Sequence, residues 1–173
     1  MKKYSYLFLL MILFNSCDKE SEPDPRILES EPDPRILFRP ETLTLSTGQS
    51  GELSIKIEDF RVRIFGVTMR IMYDPHVVTF SDSAGFAMGN FFGDDIVSFI
   101  EEKDSVIHIA LTLTQGQSEE RGSGKLGTLT FTGNSPGSSA IEIIPTELVF
   151  YDSDGDEVAI PELEIESSTI SVQ

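Results

Sequence analysis

Residues 66–80 read GVTMRIMYDPHVVTF, and the fold follows from how this run is phased. Val67, Met69, Ile71 and Tyr73 alternate with Gly66, Thr68, Arg70 and Met72. In a strand, successive side chains leave on opposite sides, so the first set faces a core and the second faces outward. A helix would instead repeat its apolar positions every three or four residues. Pro75 has no N–H to give to a ladder, and it pushes Asp74 away from helical backbone. The strand therefore ends at an Asp74-Pro75 corner, and Val77-Val78 begin another.

Working outward, the same alternation recurs in Leu43/Leu45, Leu53/Ile55/Ile57, Ile107/Ile109/Leu111/Leu113, Leu129/Phe131, Ile141/Ile143 and Leu148/Phe150. No comparable helical stripe exists. Gly48-Gln-Ser-Gly51, Gly133-Asn-Ser-Pro-Gly137 and Asp152-Ser-Asp-Gly155 punctuate the runs as turns. Many short strands at this spacing predict an all-β sandwich. The exception is Ser81 to Gly93, where Gly85, Gly89 and Gly93 interrupt Phe86, Met88, Phe91 and Phe92. That stretch is expected to be a long loop whose aromatic residues cap one end of the core.

The chain opens with Lys2 and Lys3, continues through apolar Leu7 to Phe14, and reaches Asn15-Ser16-Cys17, its one cysteine. This is the layout of a secretory signal, and it is far shorter than the roughly 20 residues that a bilayer span needs. Leu13-Phe14-Asn15-Ser16-Cys17 resembles a bacterial lipobox, which implies a signal peptide over 1–16 and lipidation of Cys17. Two or more acyl chains give a firm anchor without a transmembrane helix. Residues 17–37 then form an acidic tether. It holds the direct repeat Ser21-Glu-Pro-Asp-Pro-Arg-Ile-Leu28 and Ser30-Glu-Pro-Asp-Pro-Arg-Ile-Leu37, whose prolines and charges favour an extended spacer. Ile36-Leu37 have the character to join the first strand of a domain over 38–173. The acidic tract after Cys17 resembles bacterial surface-export signals, so the expected location is the cell envelope, lipid-anchored, in the outer membrane and surface-exposed.

Cleavage before Cys17 takes the net charge from −16 to −18. A polyanion gains nothing from releasing counterions from phosphate, so nucleic acid is excluded as a partner. With Cys17 lipidated, no thiol remains for a disulfide, a zinc site or a nucleophile.

Gly66, the alternating strand and Tyr73-Asp-Pro-His-Val-Val78 resemble the signature of the cohesin family. Other pieces follow in cohesin order: Thr44-Leu-Ser-Thr-Gly-Gln-Ser-Gly51, the Gly85-to-Phe92 loop, Gly122-Ser-Gly124-Lys-Leu-Gly-Thr-Leu-Thr-Phe131, and a hairpin at Asp154-Gly155. The resemblance spans residues 38–173. It implies a jelly-roll β-sandwich of about nine strands, shared with some carbohydrate-binding modules, that captures the calcium-binding dockerin domain of another protein, commonly a polysaccharide-degrading enzyme. Carried over, the docking face takes Gly66, Thr68 and Arg70 from one strand, His108, Ala110 and Thr112 from Val106 to Leu113, and the turn at Gly116. The family places an Asn and an Asp where this chain has Gly66 and Thr68.

Several motifs point elsewhere and fail on context. Gly133-Asn-Ser135-Pro-Gly137 fits G-x-S-x-G, but a nucleophile elbow needs a helix after it, and Ile141-Glu-Ile143 reads as a strand. Gly122-Ser-Gly124-Lys-Leu-Gly127 fits G-x-G-x-x-G, yet a dinucleotide site must open a helix, and Leu126 to Phe131 reads as a strand. Asp152, Asp154 and Asp156 are the candidate calcium ligands. Gly155 falls at position four of that loop rather than at position six as an EF-hand requires, and Asp-Gly equally suits a plain hairpin. His76 and His108 have no nucleophile to serve, and Glu101-Glu102 and Glu119-Glu120 point to opposite faces of a strand. No acid/base pair can be nominated, so no enzyme activity and no cofactor are expected. Two further classes compete with docking. One is direct carbohydrate binding, disfavoured because the chain has no Trp and its mature part keeps only Tyr73 and Tyr151, with most Phe reading as core. The other is a structural surface lipoprotein without a dedicated ligand.

Overall fold

The computed structural model describes residues 32–173. Cys17, the signal segment and the first copy of the repeat lie outside the described residues. The strands are β1 (Arg35–Arg39), β2 (Thr42–Leu45), β3 (Ser50–Ile64), β4 (Gly66–Met72), β5 (Val78–Phe80), β6 (Phe86–Met88), β7 (Ile96–Lys103), β8 (Val106–Leu113), β9 (Glu120–Gly133), β10 (Gly137–Ile143), β11 (Val149–Tyr151), β12 (Glu157–Val158), β13 (Glu164–Ile165) and β14 (Ser168–Val172). About nine were expected. The excess comes mostly from segments of two or three residues that extend the edges of longer neighbours.

One sheet runs β13-β1-β3-β9-β5, with β6 also on β9. The other runs β12-β11-β4-β10-β14-β2, with β8 on the free side of β4 and β7 outside β8. Between them lie Phe38, Leu53, Ile55, Leu129 and Phe131 from the first sheet and Val67, Met69, Ile71, Ile107, Ile109 and Ile141 from the second, all buried. Truncating one such side chain, for example Ile71→Ala, costs about 2–5 kcal/mol because the site closes only partly around the cavity.

The alternation in β3 changes phase. Leu53, Ile55 and Ile57 point inward at odd positions, and so would residues 59 and 61. A register shift between Ile57 and Phe60, with Asp59 at φ 59, turns Phe60 and Ile64 inward instead. The bulge is held by the Asp59 amide, which donates to Ser123 Oγ at 2.9 Å.

The corner after β4 forms where Pro75 demands it. The Asp74 carbonyl accepts from the amides of Val77 and Val78 at 3.1 and 3.0 Å. Its carboxylate accepts from the His76 amide at 2.9 Å, and its own amide donates to buried Ser139 Oγ at 2.8 Å. Tyr73 points inward and meets Phe131 edge-on, ring centroids 5.7 Å apart.

Residues 81–93 are more ordered than a loop. A 3-10 turn over Asp82–Gly85 leads into β6, which pairs with β9. Phe91 and Phe92 are buried, but Met88 is exposed and caps nothing. Backbone contact explains this segment's glycine at 89, since a Cβ there would lie 1.9 Å from the Lys125 carbonyl oxygen. The second repeat copy ends inside the sandwich, because Arg35-Ile36-Leu37 open β1.

Candidate docking surface

Strand register brings the two halves of the expected face together. Gly66 lies opposite Thr112, Thr68 opposite Ala110, and Arg70 opposite His108. Adjacent strands extend these pairs into rows across the sheet. Val97 adjoins Thr112 and Tyr151 adjoins Gly66; Phe99 adjoins Ala110 and Val149 adjoins Thr68; Glu101 adjoins His108. Three strand spacings span about 14 Å, enough to seat one helix about 10–12 Å across.

The middle of this face is apolar and open. Val97 is 57% exposed and Phe99 58%. Together with Thr68, Arg70, His108, Ala110 and Val149, Phe99 lines a shallow cavity of about 350 Å³. Arg70 is tied to Glu147 on the 3-10 turn Pro145–Glu147 at 3.2 Å, and that turn is placed by the Ile144 amide donating to the Arg70 carbonyl. Val97 and Phe99 went unnoticed in the sequence because IVSFIEEK is apolar at both parities.

One position differs from expectation. Gly66 carries the outward phase but is buried, and a Cβ there would come 3.0 Å from the Leu111 carbonyl oxygen and 3.2 Å from Thr112 Oγ1. It is a floor rather than a contact group. Gly116, at φ 94, lies in the turn past the end of β8 and lines neither cavity of this face.

The other motifs find structural uses. Ser135 sits in the turn between β9 and β10, with a strand where an elbow needs a helix. The Gly122–Gly127 motif lies within β9 and seats aromatic rings instead of phosphate. A Cβ on Gly124 would lie 3.0 Å from the Phe91 ring, and one on Gly127 would lie 2.2 Å from that of Phe86. Asp152 Oδ1 accepts from the amides of Asp154 and Asp156 at 3.0 and 2.9 Å. Asp152, Asp154 and Asp156 thus shape a hairpin turn, with Gly155 at φ 86, and do not converge as calcium ligands. Among the described residues, no three His, Cys, Asp or Glu side chains gather into a metal site.

On the reverse side of the β7 edge, burial, followed by the charge of Glu102 and a hydrogen bond to it, pushes the Tyr73 hydroxyl up to about 12. A proton so firmly held makes Tyr73 a packing residue at ordinary pH.

A family model described as Cohesin domain matches residues 41–172. Solved structures similar to the chain include a type II cohesin domain from the cellulosome of Acetivibrio cellulolyticus, at 16% identity and TM-score 0.66, covering 80% of this chain and 95% of that one. A non-cellulosomal cohesin from the archaeon Archaeoglobus fulgidus matches at 15% identity and TM-score 0.64, covering 82% and 92%. A type I cohesin–dockerin complex from Clostridium thermocellum matches at 18% identity and TM-score 0.64, covering 83% and 95%. No curated protein matches the chain in sequence.

Proposed function

The chain belongs to the cohesin domain family, and from that premise we propose that it is a non-catalytic docking lipoprotein of the cell envelope whose β7-β8-β4-β11 face captures a dockerin. The observation that carries this reading is the register of the face. Thr68, Arg70, His108, Ala110 and Thr112 stand in paired rows, flanked by Val97 and Phe99, which are exposed although apolar. Exposed aromatic and aliphatic groups gathered on a sheet face are the material of an interface centre, with Arg70 and His108 at its polar margin. The similar Clostridium thermocellum structure is itself a cohesin–dockerin complex, and partners on polysaccharide-degrading enzymes fit the family.

Anchoring through Cys17, with the residues between it and β1 as tether and outer-membrane surface display, completes the proposal. The −18 charge of the processed chain keeps a tethered module soluble and away from anionic surfaces. Palmitate-analogue labelling tests the anchor: Cys17→Ser should lose the label, and equal labelling of both forms would refute it.

Calorimetry against dockerins encoded in the same genome tests the docking. Binding should require calcium, because the dockerin needs it to fold, and EDTA should abolish it. Binding to insoluble cellulose or chitin, with no dockerin bound, would point to a carbohydrate-binding module instead.

A further inference from the structure

We infer that β7 is a seam between two copies of this chain. The free edge of Ile96–Lys103 pairs antiparallel with the same strand of a second molecule, about a two-fold axis at Phe99. The two sandwiches then share one continuous sheet, and no dockerin is needed for them to do so.

Edge strands elsewhere in the molecule are short. β2 has four residues, β5 and β6 have three each, and β12 and β13 have two each. β7 has eight, in unbroken register with β8 from Ile96–Leu113 to Lys103–Val106. Among the described residues it pairs with no strand on its other side. The 3-10 turn Asp82–Gly85 lies close to β7 but forms no ladder with it. An edge presents unpaired N–H and C=O groups, and proteins protect such edges by keeping them short, bulged or broken by proline. β7 has none of these devices, and Val97 and Phe99 on it are more than half exposed.

The strand's own sequence selects a second copy as the occupant. Residues opposite each other in an antiparallel pair share one side of the sheet, so a symmetric pair must set one residue against its own mate. With Phe99 on the axis, the outward rows read Asp95–Lys103, Val97–Glu101, Phe99–Phe99 and then the same in reverse. An aromatic pair stands at the centre and opposite charges meet at both ends, which are favourable cross-strand pairs. Moving the axis to Ile100 sets Phe99 against Glu101 and Val97 against Lys103. Moving it to Ser98 sets Asp95 against Glu101 and Asp94 against Glu102, like charges in a chain whose net charge is already −16.

Both ends of the seam are held in place. The Asp95 carboxylate accepts from Gln117 Nε2 at 3.1 Å and its carbonyl accepts from the Thr114 amide at 3.1 Å. Lys103 is followed at once by the tight turn of Asp104 and Ser105, at φ 54 and 66, which carries the ladder to the strand's last residue. The interface is isologous, and its axis runs through the sheet. The outer surfaces of β8, β4 and β11 in both copies therefore stay open on the same side of the joined sheet.

Sedimentation velocity tests the seam on the processed chain, with Cys17→Ser to keep it free of lipid and no dockerin present, so that the result stands apart from the docking reading. Physiological salt is used, because it screens charges farther apart than about 8 Å and leaves contacting pairs in force. A dimer should form as protein concentration rises, and Phe99→Lys, which sets two like charges on the axis, should abolish it. Asp95→Lys should weaken it about fivefold although it makes the chain less acidic, and Lys103→Asp should weaken it equally. The two changes together should restore it, with melting temperatures unchanged throughout. A monomer at every concentration would overturn the inference and leave the edge to an extended segment of another protein. A dimer indifferent to Phe99→Lys, or one that the double variant fails to restore, would overturn this strand and this register as the seam.

Discussion

On the outer side of β1 and β3, Arg35 reaches Glu58 at 2.6 Å and Glu166 at 3.1 Å, and Arg39 meets Glu166 at 3.3 Å and Glu41 at 3.4 Å. Beside them Ser50 and Thr132 hydroxyls bond at 2.8 Å. On the outer side of β7, β8 and β4, Val97 and Phe99 stand more than half exposed, Met72 is 42% exposed, and Arg70 pairs with Glu147. Both faces belong to one sandwich. What separates them is what they expose: the first face pairs Arg35 and Arg39 with carboxylates, whereas the second leaves Val97 and Phe99 in water. An exposed apolar patch of this kind is the observation on which the proposed docking face rests.

The comparison breaks most readily at Phe99. Phe99→Ala should lower dockerin affinity about thirtyfold, a loss near 2 kcal/mol, with an unchanged melting temperature, because the ring is exposed. Thr68→Glu, which puts a charge on the cavity floor, should do the same. Lys56→Ala on the opposite face should leave affinity alone, and calorimetry reads all three. An equal loss from Lys56→Ala would erase the distinction between the faces.

Arg35→Ala should have the reverse signature. It strips one guanidinium from two carboxylates that are only about one-third exposed, and should lower stability by about 1 kcal/mol, read by denaturant melts at unchanged affinity. Arg70→Gln should be milder still in stability, within about 0.5 kcal/mol, because both partners of its pair are nearly half exposed.

A further effect, visible only in alkali, concerns Tyr73, which belongs to neither face. Its hydroxyl is raised from 10 to about 12, first by burial and then by Glu102. A raised value means the folded state holds the proton more tightly than the unfolded state does. The resulting stability is complete below pH about 10 and lost as pH climbs to about 12. Wild type should therefore lose stability faster than Tyr73→Phe across that window, and parallel curves from denaturant melts would contradict the assignment.

How far the sequence revealed this depends on parity. The run 66–73 was legible because one parity is apolar and the other is not, and the run 106–113 read the same way. Their mutual register then placed Thr68 beside Ala110 and Arg70 beside His108. Strand β7 was not legible: Ile96 and Ile100 pack on the core while Val97 and Phe99 lie outward, so both parities look buried. A strand that is apolar on both faces gives no parity to read, whether its outer face meets water or a partner. The phase change in β3 was equally hidden, because a bulge at Asp59 depends on pairing with β9. The glycines at 124 and 127 showed a motif, but only packing revealed that they seat Phe91 and Phe86.

If the β7-β8-β4-β11 face and not the β1-β3 face receives the partner, amide-shift mapping of the ¹⁵N-labelled protein saturated with a calcium-loaded dockerin will show it. Shifts should concentrate in residues 66–72, 97–103 and 106–112, with β1, β3 and β9 unmoved. Shifts centred on residues 35–39 and 50–58, with Phe99 and Ala110 unaffected, would contradict it.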